Sequence, residues 1–334
     1  MRIAHNDPRL TWEGAVSVEH GDGWTQPWRL PCSDIGLLDS GLVERATHGA
    51  GARLCFATDA TTISGEIDPI GVDPRPYGIK PLDLVIDGDV CGSADVQRTN
   101  RFEFAGLPSH MKTIELWLPH LWRFRLRELN ISDGARVEPV TDTRPYWIVY
   151  GSSIEHCAEA SRPTETWPAY VSRSAGYNLT CLGFGAQCYL DTEVARTIAE
   201  LSASRITLCL GINVQIGSAM TSRTFRSAII GFVRIIRAHQ PYVPIDLISP
   251  IYAAPREEVK NDAGMSVADA RADVQAATVV LREHGDANVN YIDGLDLIGS
   301  NDAALMADAI HPSAEGYRVL AERFCRINPL LSSC

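Results

Sequence analysis

Lysine is almost missing from this chain of 334 residues. Only Lys80, Lys112 and Lys260 occur, and the other basic residues are arginine. With plentiful alanine, that bias reflects a GC-rich genome rather than a function. Basic charge as a whole is scarce, and the formal net charge is −11. Nucleic acid and anionic membrane are thereby excluded as main partners, since phosphate binding needs clustered Lys and Arg. No apolar run approaches the roughly 20 residues that span a bilayer, and the opening "MRIAHNDPRL" lacks the apolar core of a secretory signal. The nine cysteines are odd in number, scattered, and contain no C-x-x-C pair. They fit free, mostly buried thiols in a reducing compartment, so a soluble cytoplasmic protein is expected. No Gly-rich phosphate loop appears, and no His, Cys and carboxylate cluster has metal-ligand spacing, so no cofactor and no metal are expected. Nothing in the sequence sets the oligomeric state.

What is present divides into two halves of different period. Between about residues 50 and 140, "ARLCFATDATTISGEI", "LDLVIDGDVCG", "NRFEFAG" and "TIELWLPHLWRFRLRELNIS" alternate with a period near two and are punctuated by Gly, Pro, Asp and Asn. Short strands at regular spacing predict an antiparallel β-sandwich. From Tyr146 onward, the apolar runs "YWIVY", "YNLTCLG", "RITLCLGI", "IDLIS" and "NVNYI" are separated by helix-length segments. In one of these, Val267, Ala270, Val274, Ala277 and Leu281 fall on a single face. Alternating strand and helix predicts a parallel sheet with helices on both faces. The expected domains are 1–142, an N-terminal β-sandwich, and 143–334, the catalytic half, divided near "DTRPY".

Parallel sheets place their chemistry at the carboxyl ends of the strands. There the sequence has Gly151, Ser152 and Ser153, then Gly183 to Gln187, then Gly211, Ile212 and Asn213. Turns explain each of these separately, and spacing leaves Ser152 and Ser153 equally open as a nucleophile. A fourth stretch, "DAIHPSAEGY", sets Asp308 three residues before His311, where one turn brings carboxylate to imidazole. Pro312 is expected to start the last helix. His156 either lines the pocket or sits as a structural residue on the first helical turn after the serines, and the structural reading is preferred. Trp117, Trp122 and Phe124 read as core, although a carbohydrate-binding sandwich would expose such aromatics.

Together, "GSSI", "GFGAQ", "GIN" and "DAIHP", in that order over residues 146 to about 325, resemble the SGNH, or GDSL-type, hydrolase family. The G-x-S-x-G elbow of ordinary α/β-hydrolases is absent. The resemblance implies a three-layer α-β-α sandwich with a flavodoxin-like parallel sheet. It places the nucleophile at Ser153, the base at His311 and its orienting carboxylate at Asp308. It puts the oxyanion donors at Ser153, Ala186 and Asn213, with Gly185 as the alternative to Ala186 should the loop require φ > 0. The chain also resembles two-domain members of the family with an N-terminal β-sandwich. That likeness implies an O-acyltransferase moving an aryl acyl group, from an activated ester or thioester, to a hydroxyl of a small molecule such as a polyketide natural product. The alternative is a carboxylesterase using water, with a sugar-binding N-terminal domain. A third possibility is that the N-terminal domain covers the site and shapes the acceptor pocket.

Overall fold

The computed structural model describes residues 1–70 and 78–328. The N-terminal part is a sandwich of two antiparallel sheets of six strands each. One sheet runs, in spatial order, Ser17–Gly21, Trp24–Trp28, Leu126–Ile131, Thr62–Ile67 and Arg101–Ala105, with Arg2–Ala4 also on Leu126–Ile131. The other runs Val137–Glu138, Arg53–Thr58, Lys112–Trp117, Leu82–Ile86 and Asp89–Ala94, with Thr11–Glu13 on Arg53–Thr58. Alternation puts Leu54, Phe56, Ile114 and Leu116 of one sheet against Ile63, Leu126, Leu129 and Ile131 of the other. Four strands of the sandwich lie within the first 50 residues, ahead of the stretch whose alternation reads as strand-like. A short helix, Ser40–Ala46, follows its first four strands. Trp122 and Phe124 are in the core, and Trp117 is fully buried among residues of the second domain. None of these three rings is available as a sugar platform.

The second part is a five-stranded, wholly parallel sheet. Taken in chain order, its strands are Tyr146–Gly151, Asn178–Gly183, Arg205–Cys209, Ile245–Ile248 and Val289–Ile292, and they lie side by side as second, first, third, fourth, fifth. These strands are apolar on both faces because both are covered. In the first strand, Ile148 and Tyr150 enter one core, with helices Thr192–Glu200, Ser222–His239 and Val267–Glu283. Trp147 and Val149 enter the other, with helices Trp167–Ala175 and Ala314–Ile327. The stripe Val267, Ala270, Val274, Ala277 and Leu281 is buried.

Asn178–Gly183 is an edge strand, and the sandwich covers it. Its outward carbonyls belong to alternate residues, and two buried arginines of the N-terminal part take them. Arg29 donates to Cys181 O (3.2 Å) and Gly183 O (2.7 Å), and Arg53 donates to Leu179 O (3.2 Å). Arg53 also pairs with Glu115 and Asp142. Arg29 donates further to His48 O and Arg45 O, and burial holds its pKa down to about 10. The buried Arg29 guanidinium is tolerable here because carbonyl oxygens surround it.

Candidate active site

The strand order reverses between Tyr146–Gly151 and Arg205–Cys209, and in open parallel sheets ligands bind outside the carboxyl ends of the strands at such a point. The two serines follow directly on the first of these strands and are held differently. Ser152 is the N-cap of the four-residue helix Ser153–His156: its hydroxyl accepts from Ile154 N–H (3.1 Å). Glu155, three residues on, accepts from Ser152 N–H (2.7 Å), which completes a capping box. Gly151 is required at the strand end, since a Cβ there would lie 2.1 Å from the Glu155 carboxylate. Burial pushes the Glu155 carboxyl up to about 7, although hydrogen bonds from Ser152 oppose that rise. Beneath it, a narrow cavity of about 20 Å³ is lined by Cys209, Ser249, Trp167, Ile251 and Leu297.

Ser153, the next residue, is only partly buried. Its Oγ lies 2.8 Å from His311 Nε2, across 158 positions of chain. His311 Nδ1 lies 2.8 Å from Asp308 Oδ2. A carboxylate only accepts, so Nδ1 carries the proton, Nε2 offers its lone pair, and the Ser153 hydroxyl donates to it. Asp308 Oδ1 also accepts from the backbone N–H groups of Ile310 and His311, each at 2.7 Å. Partial burial raises the Asp308 carboxyl, but these bonds outweigh it and hold it below its ordinary value. The local turn is thus built on the same carboxylate that orients the ring. Pro312 does not start the last helix as expected: Ser313 is the N-cap and the helix begins at Ala314. Pro312 pairs instead with Met306, closing the loop that holds His311. A second carboxylate, Glu159, lies 4.0 Å from His311 Nδ1, accepts from Tyr317 O–H, and is more buried than Asp308 (side-chain exposure 16% against 54%).

On the other side of Ser153 lies the 184–188 loop. Ala186, not Gly185, is the residue with φ > 0, at +60°. A non-glycine residue there carries strain of about 1 kcal/mol. The rule that a left-handed position should be glycine therefore picks the wrong neighbour. Gly185 N–H donates to His156 Nδ1 (3.3 Å) and is engaged, while no hydrogen bond to Ala186 N–H is found among the described residues. Asn213, in the helix Ile212–Ile216, is buried, and its Oδ1 accepts from Cys188 N–H (3.0 Å). Its amide nitrogen is left for other partners beside the loop. The four stretches are thus brought together: Ser153, His311 and Asp308 in one hydrogen-bonded line, with Asn213 tied to the loop that carries Ala186.

His156 is fully buried. Its Nε2 donates to His120 O (2.7 Å), and His120 Nε2 donates to Cys157 O (3.0 Å), joining the short helix to the sandwich. Burial holds the His156 ring neutral, well below its ordinary pKa, so Nδ1 can accept from Gly185. Sequence reading assigned no task to Glu155, Glu159 or Arg45 at the site.

Residues 145–328 match the family model described as GDSL-like lipase/acylhydrolase, and residues 10–127 match that of the SsfX3 N-terminal domain. The chain belongs to the GDSL-like lipase/acylhydrolase family. Among solved structures, it is similar to the salicylyl-acyltransferase SsfX3 from a tetracycline biosynthetic pathway: 35% identity, 98% of this chain and 96% of that one, TM-score 0.90. A protein from Bacteroides ovatus ATCC 8483 described as a GDSL-like lipase shares the fold (22% identity; 97% and 96% of the chains; TM-score 0.80). So does a family two carbohydrate esterase from Clostridium thermocellum (14%; 97% and 100%; TM-score 0.68). Among curated proteins, none matches the sequence. This chain is an enzyme of the acyltransferase and esterase kind. No helix among the described residues is long and apolar enough to cross a membrane.

Proposed function

We propose that the chain transfers an acyl group, in the first place an aryl acyl group, through an acyl-Ser153 intermediate to a hydroxyl of a small molecule such as a polyketide natural product. The carrying observation is the Ser153–His311–Asp308 line, with both contacts at 2.8 Å. His311 Nε2 takes the Ser153 proton as Oγ attacks the donor carbonyl, and Asp308 orients the ring and stabilises the imidazolium. The N–H groups of Ser153 and Ala186 and the Asn213 amide hold the oxyanion. Collapse expels the alcohol or thiol of an activated ester or thioester, protonated from His311. The acceptor hydroxyl then gives its proton to His311 and attacks the acyl carbon, releasing Ser153. No cofactor enters these steps. The 35% identity to a salicylyl-acyltransferase over nearly the whole chain supports transfer over hydrolysis. The free cysteines among the described residues suit a cytoplasmic enzyme.

Hydrolysis is the second reading, favoured by one observation: Asp308 is half exposed, so water reaches the edge of the site. Intact mass after exposure to a panel of aryl esters and thioesters, with peptide mapping, tests the intermediate. An adduct on Ser153 is expected, and an adduct elsewhere or none refutes it. Adding a panel of polycyclic alcohols then separates the readings. Acyl product should outpace free acid, and free acid alone would make the protein an esterase.

A further inference from the structure

The loop that carries Ala186 is held from the N-terminal sandwich. Arg45, in the helix Ser40–Ala46, donates from Nε to Gly185 O (3.1 Å). That carbonyl and the Ala186 N–H belong to one peptide unit, which is planar and trans, so the two point in opposite directions. Fixing the oxygen on one side fixes where the hydrogen points on the other. The preceding peptide is pinned as well, through Gly185 N–H on His156 Nδ1. Arg45 is itself braced: Arg29 donates to Arg45 O (2.5 Å) and to Gly183 O at the end of the edge strand. Helix and loop are close along this stretch, since a Cβ on Gly41 would come within 2.6 Å of Gln187 Nε2. A methyl on Gly185 would lie 3.7 Å from Ser153 Cβ and 3.8 Å from Arg45 Nε, so the arginine and the serine flank the same residue.

We infer that Arg45 is a positioning residue for acyl transfer: by holding Gly185 O it aims the Ala186 N–H at the oxyanion, so the sandwich completes the catalytic site. The inference rests on the acyl-Ser153 reading. Ala186 explains why such a hold is needed. An alanine at φ +60° is strained, and rotation of the 185–186 peptide relieves that strain while turning the N–H away. An arginine suits the task because Nε and the terminal nitrogens work separately: NH1 pairs with Glu44 while Nε holds the loop.

The test uses the full chain and two variants, Arg45→Met and Arg45→Lys; the lysine has no donor at the Nε position. The wild type is first treated with a fluorophosphonate and the adduct mapped. Turnover of an aryl ester is then measured, with the affinity for phenylboronic acid, which mimics the tetrahedral intermediate, and for benzoate, which does not. Both variants should lose about 100-fold in kcat, the lower end of what loss of one oxyanion donor costs, with KM unchanged. Boronate affinity should fall in parallel while benzoate affinity stays. A role limited to docking the domains would not separate the two ligands. Unchanged kcat and boronate affinity, or equal losses for boronate and benzoate, would overturn the inference. Should Arg45→Met fail to fold, Arg45→Lys decides by the same readings. If the wild type yields no Ser153 adduct, the acyl-serine reading fails and this inference with it. An adduct with undiminished variants sinks this inference alone.

Discussion

Glu155 makes stability depend on pH in a way that one substitution isolates. Its carboxyl is buried under the Ser152 cap and raised from 4.5 to about 7. The folded chain therefore keeps a proton that the unfolded chain has released between those values. Stability from this group is fully present below about pH 4.5, declines as pH rises toward 7, and is gone above it. The displacement corresponds to about 3 kcal/mol between the two limits. Glu155→Gln keeps an oxygen to accept the Ser152 N–H and carries no charge at any pH. Its stability relative to wild type should therefore climb by about 3 kcal/mol from pH 4.5 to 8 and then level off. Urea unfolding of both proteins at intervals across that range reads the difference, and all other titrating groups cancel in it. Parallel profiles for the two proteins would refute the reasoning. So would a divergence of the opposite sign, which would mean that the cap bonds outweigh burial and hold the carboxyl low.

Further expectations follow from the same contacts. Ser153→Ala should abolish acyl-enzyme formation, whereas Ser152→Ala should keep the nucleophile and lose about 1 kcal/mol of stability, the worth of an N-cap. Rapid-quench mass measurement and urea melts separate them, and the reverse ranking would exchange the two roles. His311→Ala should lose the acylation burst with a chromogenic ester, and an undiminished burst would remove it as the base. Asp308→Ala should cost about 100-fold rather than the roughly 10,000-fold known for triads with one carboxylate, because Glu159 lies 4.0 Å from the same nitrogen. Adding Glu159→Gln should bring kcat down to the His311→Ala level, and purely additive losses would deny Glu159 that part. Arg29→Met should cost several kcal/mol, since it strips donors from Cys181 O and Gly183 O in a dry interface; a loss under about 1 kcal/mol would show those carbonyls to be otherwise satisfied.

The parallel sheet was legible because strands buried on both faces read as short, mostly apolar runs between helix-length segments, as "YWIVY" and "RITLCLGI" do. The first 50 residues were not legible. Their strands are three to five residues long, and Trp24–Trp28 contains Pro27, which reads as a break. The choice between the serines needed the family resemblance, yet a local signal was available. Ser152-Ser153-Ile154-Glu155 is a Ser-x-x-Glu capping box, which engages the first serine and leaves the second free. The left-handed Ala186 could not be read, because alanine avoids that region and only long-range contacts hold it there. For the same reason Arg29, Arg45, Arg53 and His120 looked like any other polar residues. Their partners lie 37 to 154 positions away, and no local pattern encodes such a pairing.

These contacts also bear on what the sandwich is. A module that only delivers an enzyme to a polymer needs a linker and an exposed binding face. Here the three aromatics considered for such a face are buried, and Trp117 packs in the same core as Trp147 of the catalytic sheet. The edge strand beside Ser153 has its carbonyls capped by Arg29 and Arg53, so removing the sandwich would expose both an unpaired edge and an apolar surface. The short helix behind Ser153 has its C-terminal carbonyl held by His120 of the sandwich. The parallel-sheet part is therefore held together in part by the sandwich. The residues that close the fold, Arg29, Arg53 and His120, are themselves fully buried, so the two parts meet through a dry interface rather than through a linker.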